Sequence, residues 1–317
     1  MHDVLCAGLI VADHVSAPIT ALPAAGTLVK TDRLEVTIGG CGANTAVDLR
    51  ALGVDVGLAG MVGDDVLGRY CLEFLRQRGV GCELVRVSPT VQTAATLIVN
   101  VQGEDRRFIH AVGANAEFTG TEIPAAAVQR AKVVAVGGFG LNAALSGPNV
   151  AELFRQARAG GATTVLDVVI GDVDPVPAML AEALPETDVF LPNHDEARML
   201  TGLNDPWEQA HYFRRLGTRM VVITAGREGA FAVSEDERMH LPAFRVEQVD
   251  GTGSGDAFVA GFILGLLEKA GLERCLRYGA AMGASCVQAV GATTGVFDRD
   301  GLEGFLRVNG ERPVSAG

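Results

Sequence analysis

The chain has 317 residues, of which 48% are hydrophobic and 20% are charged, so it can form one large α/β domain or two small ones and is not disordered throughout. Its formal net charge of -12 argues against nucleic acid or an anionic membrane surface as a main partner, because both would repel it. The net charge does not exclude a small phosphorylated ligand, since the charge around one binding site can differ from that of the whole chain.

The N-terminal segment is predicted to be a strand rather than a targeting sequence. It reads MHDVLCAGLIVADHV and lacks both a basic region and a long apolar stretch. No run of about 18 apolar residues without a charge or a breaker is found in the chain. The six cysteines form no C-x-x-C pair, which is typical of free thiols in a reducing compartment and argues against a zinc site. We therefore expect a cytoplasmic protein without a membrane span.

The first third of the chain alternates between strand-like and helix-like segments. Buried strands are predicted in VLCAGLIV and in VGLAGMVG. Helical spacing is found in ANTAVDLRALG, which ends at Gly53, and in DDVLGRYCLEFLRQRG, which ends at Gly79. Because glycine commonly follows the last turn of a helix, both ends are plausible stops. The chain therefore begins as a β-α-β-α unit.

The pattern changes between residues 93 and 115. TAATLIVNVQGEDRRFIHAVGAN predicts two strands joined by a polar turn at residues 102–105. Residues 28–38 have a similar, partly alternating texture. No helix separates these strands, so we expect a small antiparallel sheet. It would form a lid, from about residues 14–40 and 93–115, on a single domain spanning residues 1–317.

Strands and helices alternate again in the second half of the chain. Strands alternating with helices of about 10–15 residues predict a parallel sheet covered on both faces. Ligands bind such sheets beyond the C-terminal ends of the strands. The following residues each precede a loop that we expect at this one edge: Val11, Phe139, Phe190, Ala225 and Val249.

A glycine-rich loop precedes the most apolar helix. The segment VDGTGSGDAFVAGF places glycine at 251, 253 and 255. If residues 254–256 open the helix, the free N–H groups of its first turn form an anion site, and Asp256 could accept a proton there. The alternative is a turn with an ordinary helix cap. The chain has no Gly-Lys pair, which excludes a Walker A loop, and the dinucleotide fingerprint is weak.

Four motifs, in this order, resemble those of the ribokinase-like (PfkB) family of carbohydrate and nucleoside kinases. IGGCGANTAVDLRALG with MVGDDVLG is similar to the family's N-terminal signature, and VDGTGSGDAFVAGF to its C-terminal signature. LPNHDEARMLTG resembles its Asn-x-x-Glu motif, and VITAGREGA resembles its strand and glycine turn. The resemblance implies a three-layer α/β/α sandwich with a mostly parallel central sheet and a small β lid.

The resemblance also implies an activity. A member of this family transfers the γ-phosphoryl group of ATP to a hydroxyl, here with the primary hydroxyl of a sugar as the expected acceptor. Asp256 would be the general base, and Gly253, Ser254 and Gly255 would form the anion hole. Three alternatives stay open: a nucleoside kinase of the adenosine, inosine or pseudouridine type, a non-catalytic nucleotide- or sugar-binding protein, and a dinucleotide oxidoreductase.

Nucleotide and Mg²⁺ sites follow from the same resemblance. Asn193 would contact ATP, and Glu196 would hold Mg²⁺ through water, since oxygen ligands suit this ion. The alternative for this pair is a capped helix with a solvated acid. Thr224, Gly226 and Gly229 would contact the nucleotide, unless they only end a strand in a turn.

The acceptor site is expected near the N-terminus. Asp13, after the first strand, would accept hydrogen bonds from sugar hydroxyls. Gly39 and Gly40 would let the substrate approach the backbone, and Asn44 would supply an amide, unless it is a helix-interior amide that packs locally. Asn115 is a weaker candidate, for which local packing is the favoured alternative.

Asp250 and the Thr252 carbonyl resemble positions that hold a monovalent cation such as K⁺ in many relatives. Gly251 stands where the family usually has threonine, which would loosen the loop, and Ser254 stands where alanine is usual. Three arginines in or near the lid could meet an acidic or phosphorylated sugar, but a solvated edge is the favoured interpretation: Arg33, Arg106 and Arg107. The edges of the lid strands also make a homodimer plausible.

Overall fold

A computed structural model describes residues 2–104 and 106–309 and the backbone of residues 315–316. Its strands, numbered in chain order, are β1 Val4–Gly8, β2 Val11–Ser16, β3 Leu34–Gly39, β4 Val56–Gly63, β5 Gly81–Ser88, β6 Ala95–Val99, β7 Arg107–Ala111, β8 Val133–Phe139, β9 Thr163–Val168, β10 Val189–Phe190, β11 Met220–Thr224, β12 Ala230–Val233, β13 Arg238–Leu241 and β14 Ser315–Ala316. Its α-helices are α1 Cys41–Ala51, α2 Val66–Gln77, α3 Ala125–Val128, α4 Gly147–Ala159, α5 Val176–Ala183, α6 His194–Thr201, α7 Pro206–Arg215, α8 Ser254–Leu267, α9 Leu272–Cys286 and α10 Arg299–Asn309.

Ten strands form a large sheet in the order β14-β13-β12-β11-β10-β9-β8-β1-β4-β5. Neighbouring strands from β11 to β5 run parallel, and β11 to β14 are antiparallel to one another. Successive side chains of a strand point to opposite faces, so Val4 and Cys6 join one hydrophobic core and Leu5 and Ala7 the other. Helices α1, α8 and α9 cover the first face, and α4, α5 and α7 cover the second. The predicted three-layer sandwich is confirmed.

Four strands form a separate small sheet in the order β3-β2-β6-β7. The β2–β3 and β6–β7 pairs are antiparallel, but β2 and β6 run parallel. The prediction of an antiparallel sheet is therefore wrong for the central pair. The reason is that β2 follows β1 and β6 follows β5, so both strands leave the large sheet in the same direction. Asp105, in the predicted turn between β6 and β7, lies outside the described residues.

The first predicted strand is divided in two. Gly8 ends β1 with φ at 142°, a conformation that residues with a Cβ rarely adopt, and a Cβ there would lie 2.1 Å from the Gly137 carbonyl oxygen. The chain then enters the small sheet at Val11, earlier than predicted. Asp13 consequently lies inside β2 rather than in a loop after the first strand.

The described part of the chain contains no helix long and apolar enough to cross a membrane. The six cysteines are all free, and Cys41 is the only one that is not fully buried. This agrees with the predicted free thiols.

Candidate active site

The predicted functional edge contains a cavity between the ends of three strands and the start of a helix. Its walls include Asp167 at the end of β9, Asn193 after β10 and Thr224 at the end of β11. The first turn of α8 closes the opposite side through residues 253–256. The chain alternates β and α here, so side chains far apart in sequence meet at this edge.

The glycine loop leads directly into α8, as predicted. Gly253 has φ at 77°, and a Cβ there would lie 2.4 Å from the Ala292 carbonyl oxygen. Only glycine fits this position without strain. Among the residues that the structure describes, no side chain caps the start of α8, and no atom beyond the local backbone lies within 4 Å of the place where Gly255 would carry a Cβ. The Ser254 N–H donates to the Gly251 carbonyl at 3.4 Å, whereas the first turn is open on the side of Gly255, which leaves room for an anion there.

Asp256 is buried in the first turn of α8, where Asn44 holds it from α1. The Asn44 Nδ2 donates a hydrogen bond of 2.8 Å to Asp256 Oδ2. Burial raises the pKa of Asp256, while the hydrogen bonds from Asn44 and Cys41 oppose that rise. Asn44 Oδ1 is buried and has no hydrogen-bond partner among the described residues. The pair thus combines a proton acceptor with a free amide oxygen.

Asp13 lies close to this pair. Burial raises the pKa of Asp13 to about 6; a hydrogen bond from Thr96 lowers it, and the charge of Asp256 raises it further. A Cβ on Gly39 would lie 1.9 Å from Asp13 Oδ2, so the missing side chain of Gly39 makes room for the carboxylate. Gly40, with φ at 89°, begins α1 against the backbone of Leu9.

Asn115 is fully buried but faces the backbone. Its Oδ1 accepts a hydrogen bond from the Ile10 N–H at 3.2 Å, and its Nδ2 donates to the Ile10 carbonyl at 3.0 Å. The amide therefore fixes the junction between β1 and β2. This geometry favours the local-packing alternative for Asn115 over direct contact with an acceptor.

Asn193 and Glu196 form the reciprocal cap that starts α6. The Glu196 N–H donates to Asn193 Oδ1 at 2.8 Å, and the Asn193 N–H donates to Glu196 Oε2 at 3.0 Å. Burial raises the pKa of Glu196 to about 7; the Asn193 N–H lowers it, and Asp256 and Asp195 raise it. The cap and a ligand role are compatible, because the carboxylate is partly buried at the cavity wall rather than solvated.

Asp167 is a site residue that the sequence analysis missed. Its carboxylate, the Cys41 thiol and the Asp256 carboxylate place one ligand atom each within 4.8 Å of one another. Burial raises the pKa of Asp167 well above its ordinary value, and the charges of Asp256 and Glu196 add to this. The signal was present: an acid at the C-terminal end of a buried strand lies at the functional edge.

The carboxylates of the cavity fit a divalent cation. Burial raises the pKa values of Asp167, Glu196 and Asp256, and the charge of Asp256 adds to the rise at Asp167 and Glu196. A positive ion among these carboxylates would relieve both effects. Carboxylate oxygens suit Mg²⁺, whereas the Cys41 thiol does not.

The three residues predicted to contact the nucleotide have different surroundings. Thr224 pairs with Asn193 in an isolated parallel β-bridge at the cavity. Gly226 has φ at 50° and no atom within 4 Å of the position of its missing Cβ. A Cβ on Gly229 would lie 2.0 Å from the Leu241 carbonyl oxygen. Gly229 therefore packs against β13, and only the first two residues face the open edge.

Asp250 does not carry a free carboxylate. Its Oδ1 accepts hydrogen bonds from Arg106 Nη1 at 2.9 Å, from the Thr252 N–H at 2.9 Å and from Thr252 Oγ1 at 2.8 Å. Its Oδ2 accepts from the Gly291 N–H at 3.0 Å. Arg106 was expected at a solvated edge, but it reaches from the small sheet to the glycine loop. Arg107 does lie at the surface, paired with Glu104.

The chain is similar to known kinases over most of its length. Residues 1–298 match the family described as pfkB family carbohydrate kinase. The aminoimidazole riboside kinase of Salmonella typhimurium is 30% identical over 282 residues, covering 84% of this chain and 87% of that protein. The ribokinase of Haemophilus influenzae is 29% identical over 307 residues, covering 94% and 96%. A candidate ribokinase II from E. coli, solved with ATP and Mg²⁺, has the same fold, with a TM-score of 0.84 and 23% identity over 97% and 100% of the two chains.

Proposed function

The chain belongs to the pfkB family of carbohydrate kinases and is a phosphotransferase, and from this premise we propose that it phosphorylates a hydroxyl of a sugar with Mg²⁺ and ATP. One observation carries the proposal. The buried Asp256, hydrogen bonded to Asn44, lies in the first turn of α8 beside uncapped backbone N–H groups. A proton acceptor and an anion site thus share one helix start.

In the proposed mechanism, Asp256 accepts the proton of the attacking hydroxyl, and that oxygen attacks the γ-phosphorus of ATP. The bond from the γ-phosphorus to the bridging oxygen of ADP breaks, and ADP leaves. The N–H groups of Gly253, Ser254 and Gly255 stabilise the charge that develops on the transferred group. The same acid can return its proton to solvent after the product leaves. Its raised pKa makes it a stronger base than an exposed aspartate.

Mg²⁺, when bound, would supply positive charge that offsets the negative charge of the ATP phosphates. Glu196 would hold it through water, and Asp167 is a further candidate on the same wall. Asn193, Thr224 and Gly226 would contact the nucleotide on this side of the cavity. The chain contains three lysines. Because lysines are so few, phosphate binding depends on backbone N–H groups, the metal ion and arginine.

Asp13 and the free Oδ1 of Asn44 would bind acceptor hydroxyls, with Gly39 leaving room for the Asp13 carboxylate. The two relatives are named for a riboside and as a ribokinase. Free ribose and ribose-bearing nucleosides are therefore the first acceptors to test. A nucleoside kinase stays the second candidate, supported by the riboside relative.

We also propose that the small sheet forms a homodimer. Val36, Leu97 and Ile109 occupy one row across β3, β6 and β7, through His14 of β2. Their exposed fractions are 38%, 41% and 67%. An exposed apolar row beside free strand edges is a surface that a second copy could cover.

An ADP-release screen with Mg²⁺–ATP over sugars and nucleosides tests the function. We expect one acceptor class to raise ADP release far above the rate with water alone, with a phosphate monoester in the ³¹P NMR spectrum. ATP binding without acceptor-dependent ADP release across the panel would instead support a non-catalytic binding protein. A thermal shift with NAD(P) but not with ATP would support the oxidoreductase alternative.

A further inference from the structure

Arg106 links the small sheet to the glycine loop. It immediately precedes β7, and its guanidinium carbon lies 5.6 Å from the centre of the Phe108 ring. From there Nη1 reaches both Asp250 Oδ1, at 2.9 Å, and Thr252 Oγ1. The side chains of Arg106 and Asp250 are only 26% and 8% exposed. A charge pair this far from water is screened less than a surface pair.

Gly251 provides space for this arginine. Its φ is outside the left-handed region, so backbone conformation does not require glycine there. A Cβ at Gly251 would lie 3.3 Å from Arg106 Nη2 and 3.4 Å from Gln248 Nε2. The larger threonine side chain, usual at this position by resemblance, would extend further into the same space. The missing side chain at Gly251 thus leaves the space that the Arg106 guanidinium fills.

The residues assigned by resemblance to a monovalent cation do not fit one here. The Asp250 carboxylate accepts four hydrogen bonds, one of them from a guanidinium. The Thr252 carbonyl lies 3.2 Å from the Cys286 thiol, which is equally close to the Ala292 carbonyl. The two expected ligands therefore already have partners: the Arg106 guanidinium pairs with the Asp250 carboxylate, and the Cys286 thiol donates to the Thr252 carbonyl.

Given the kinase function proposed above, we propose that the Arg106 guanidinium replaces the monovalent cation at the glycine loop, so that phosphoryl transfer does not depend on K⁺. The guanidinium neutralises Asp250, whose negative charge would otherwise oppose an anion held by the first turn of α8. It also fixes the loop from the small sheet, which makes Arg106 a positioning residue. Gly251 is then explained by the volume of the arginine.

The test compares wild type with Arg106→Ala, Arg106→Lys and the control Arg107→Ala, in KCl and in choline chloride at equal ionic strength. For wild type we expect the same melting temperature and the same kcat in both salts. Arg106→Ala should lose roughly tenfold or more in kcat, the scale of one charge-assisted contact. Guanidinium chloride, kept below denaturing concentration, should recover part of that loss. Arg107→Ala should behave as wild type.

K⁺-specific stabilisation of wild type, or its activation by K⁺ more than about fivefold, would overturn the proposal. So would an Arg106→Ala variant that keeps wild-type turnover in choline chloride. A loss that guanidinium does not recover, and that a lower melting temperature matches, would mean a merely structural role. The melting temperatures need no turnover, so failure of the kinase assignment is distinguishable from failure of this inference.

Discussion

Among single residues, Asn44 and Asp256 show how one hydrogen bond sets the chemistry of a buried acid. Asp256 is almost fully enclosed, and burial raises the pKa of its carboxyl. The Asn44 amide donates to the carboxylate and stabilises its charged form. The balance leaves a base that is stronger than usual but still able to ionise.

Asn44→Asp should disturb this balance without changing the side-chain volume. It places a second carboxylate against Asp256 in place of a donor 2.8 Å away, so the pKa of Asp256 rises further. We expect the acidic limb of the kcat–pH profile to move to higher pH, with about a tenfold loss of turnover for each pKa unit above the assay pH. Asn149→Asp is the control, because Asn149 lies in the first turn of α4 and its Nδ2 donates to the Ala144 carbonyl at 3.2 Å. An unchanged pH profile in Asn44→Asp would contradict the role of Asp256 as base.

Sequence reasoning identified Asp256 and Asn44 because each lies in a motif. It did not place them in contact, since 212 residues separate them and only the packing of α1 on α8 brings them together. Asp167 was missed for a related reason: its position near the end of a predicted strand indicates the functional edge, but only the fold shows that it lies beside Cys41 and Asp256. Arg106 could not be paired with Asp250 before the small sheet was folded over the loop.

At the scale of elements, the cap of α6 allows a clean test of the metal site. Glutamine at 196 can keep the reciprocal cap while removing the charge. In the folded protein the Glu196 pKa rises from 4.5 to about 7, so the carboxyl holds its proton more tightly than when unfolded. The stability that this tighter proton binding contributes is therefore lost as the pH rises from 4.5 to about 7, unless a cation compensates the negative charge of the carboxylate.

Mg²⁺ should consequently raise the melting temperature of wild type more at pH 8 than at pH 6. In Glu196→Gln this difference should shrink, because no carboxylate at 196 needs to lose a proton. Glu208→Gln, in the first turn of α7, is the matched control and should respond as wild type. Differential scanning fluorimetry over this pH range measures the effect, and an equal Mg²⁺ response in wild type and Glu196→Gln would exclude Glu196 as a ligand.

The start of α8 gives a second element-level prediction. Gly253→Ala forces a Cβ into the left-handed region, where it meets the Ala292 carbonyl, so we expect a loss of at least about 1–2 kcal/mol of unfolding free energy. Gly255→Ala meets open space and should keep its stability within about 0.5 kcal/mol, while its methyl group hinders the anion site and lowers turnover. Urea unfolding and steady-state assays separate the two. Equal stability losses would contradict the described loop.

For the whole molecule, the small sheet is both lid and proposed interface. Leu97→Asp places a charge in the centre of the exposed apolar row and should convert a dimer into a monomer in analytical ultracentrifugation. Val308→Asp, at an 85% exposed position in α10, is the control and should leave the dimer intact. A wild-type protein that sediments as a monomer would contradict the proposed interface.

The large sheet could be predicted from sequence because β and α periodicities alternate over most of the chain. The small sheet could be recognised, since no helix lies within either of its consecutive strand pairs, β2–β3 and β6–β7. Its mixed direction and its start at Val11 depend on how Gly8 turns the chain against Gly137, a contact between distant residues. Pattern alone contains no information on such contacts.

The most direct measurement is single-turnover phosphoryl transfer by Asp256→Asn with its best acceptor, Mg²⁺ and ATP. Asparagine has nearly the same shape but cannot take the proton. We predict that ATP and acceptor still bind with affinities close to wild type, while the transfer rate falls by about a thousandfold, within the range of general-base catalysis. Transfer by Asp256→Asn within about tenfold of wild type would contradict the account, because the base would then lie elsewhere.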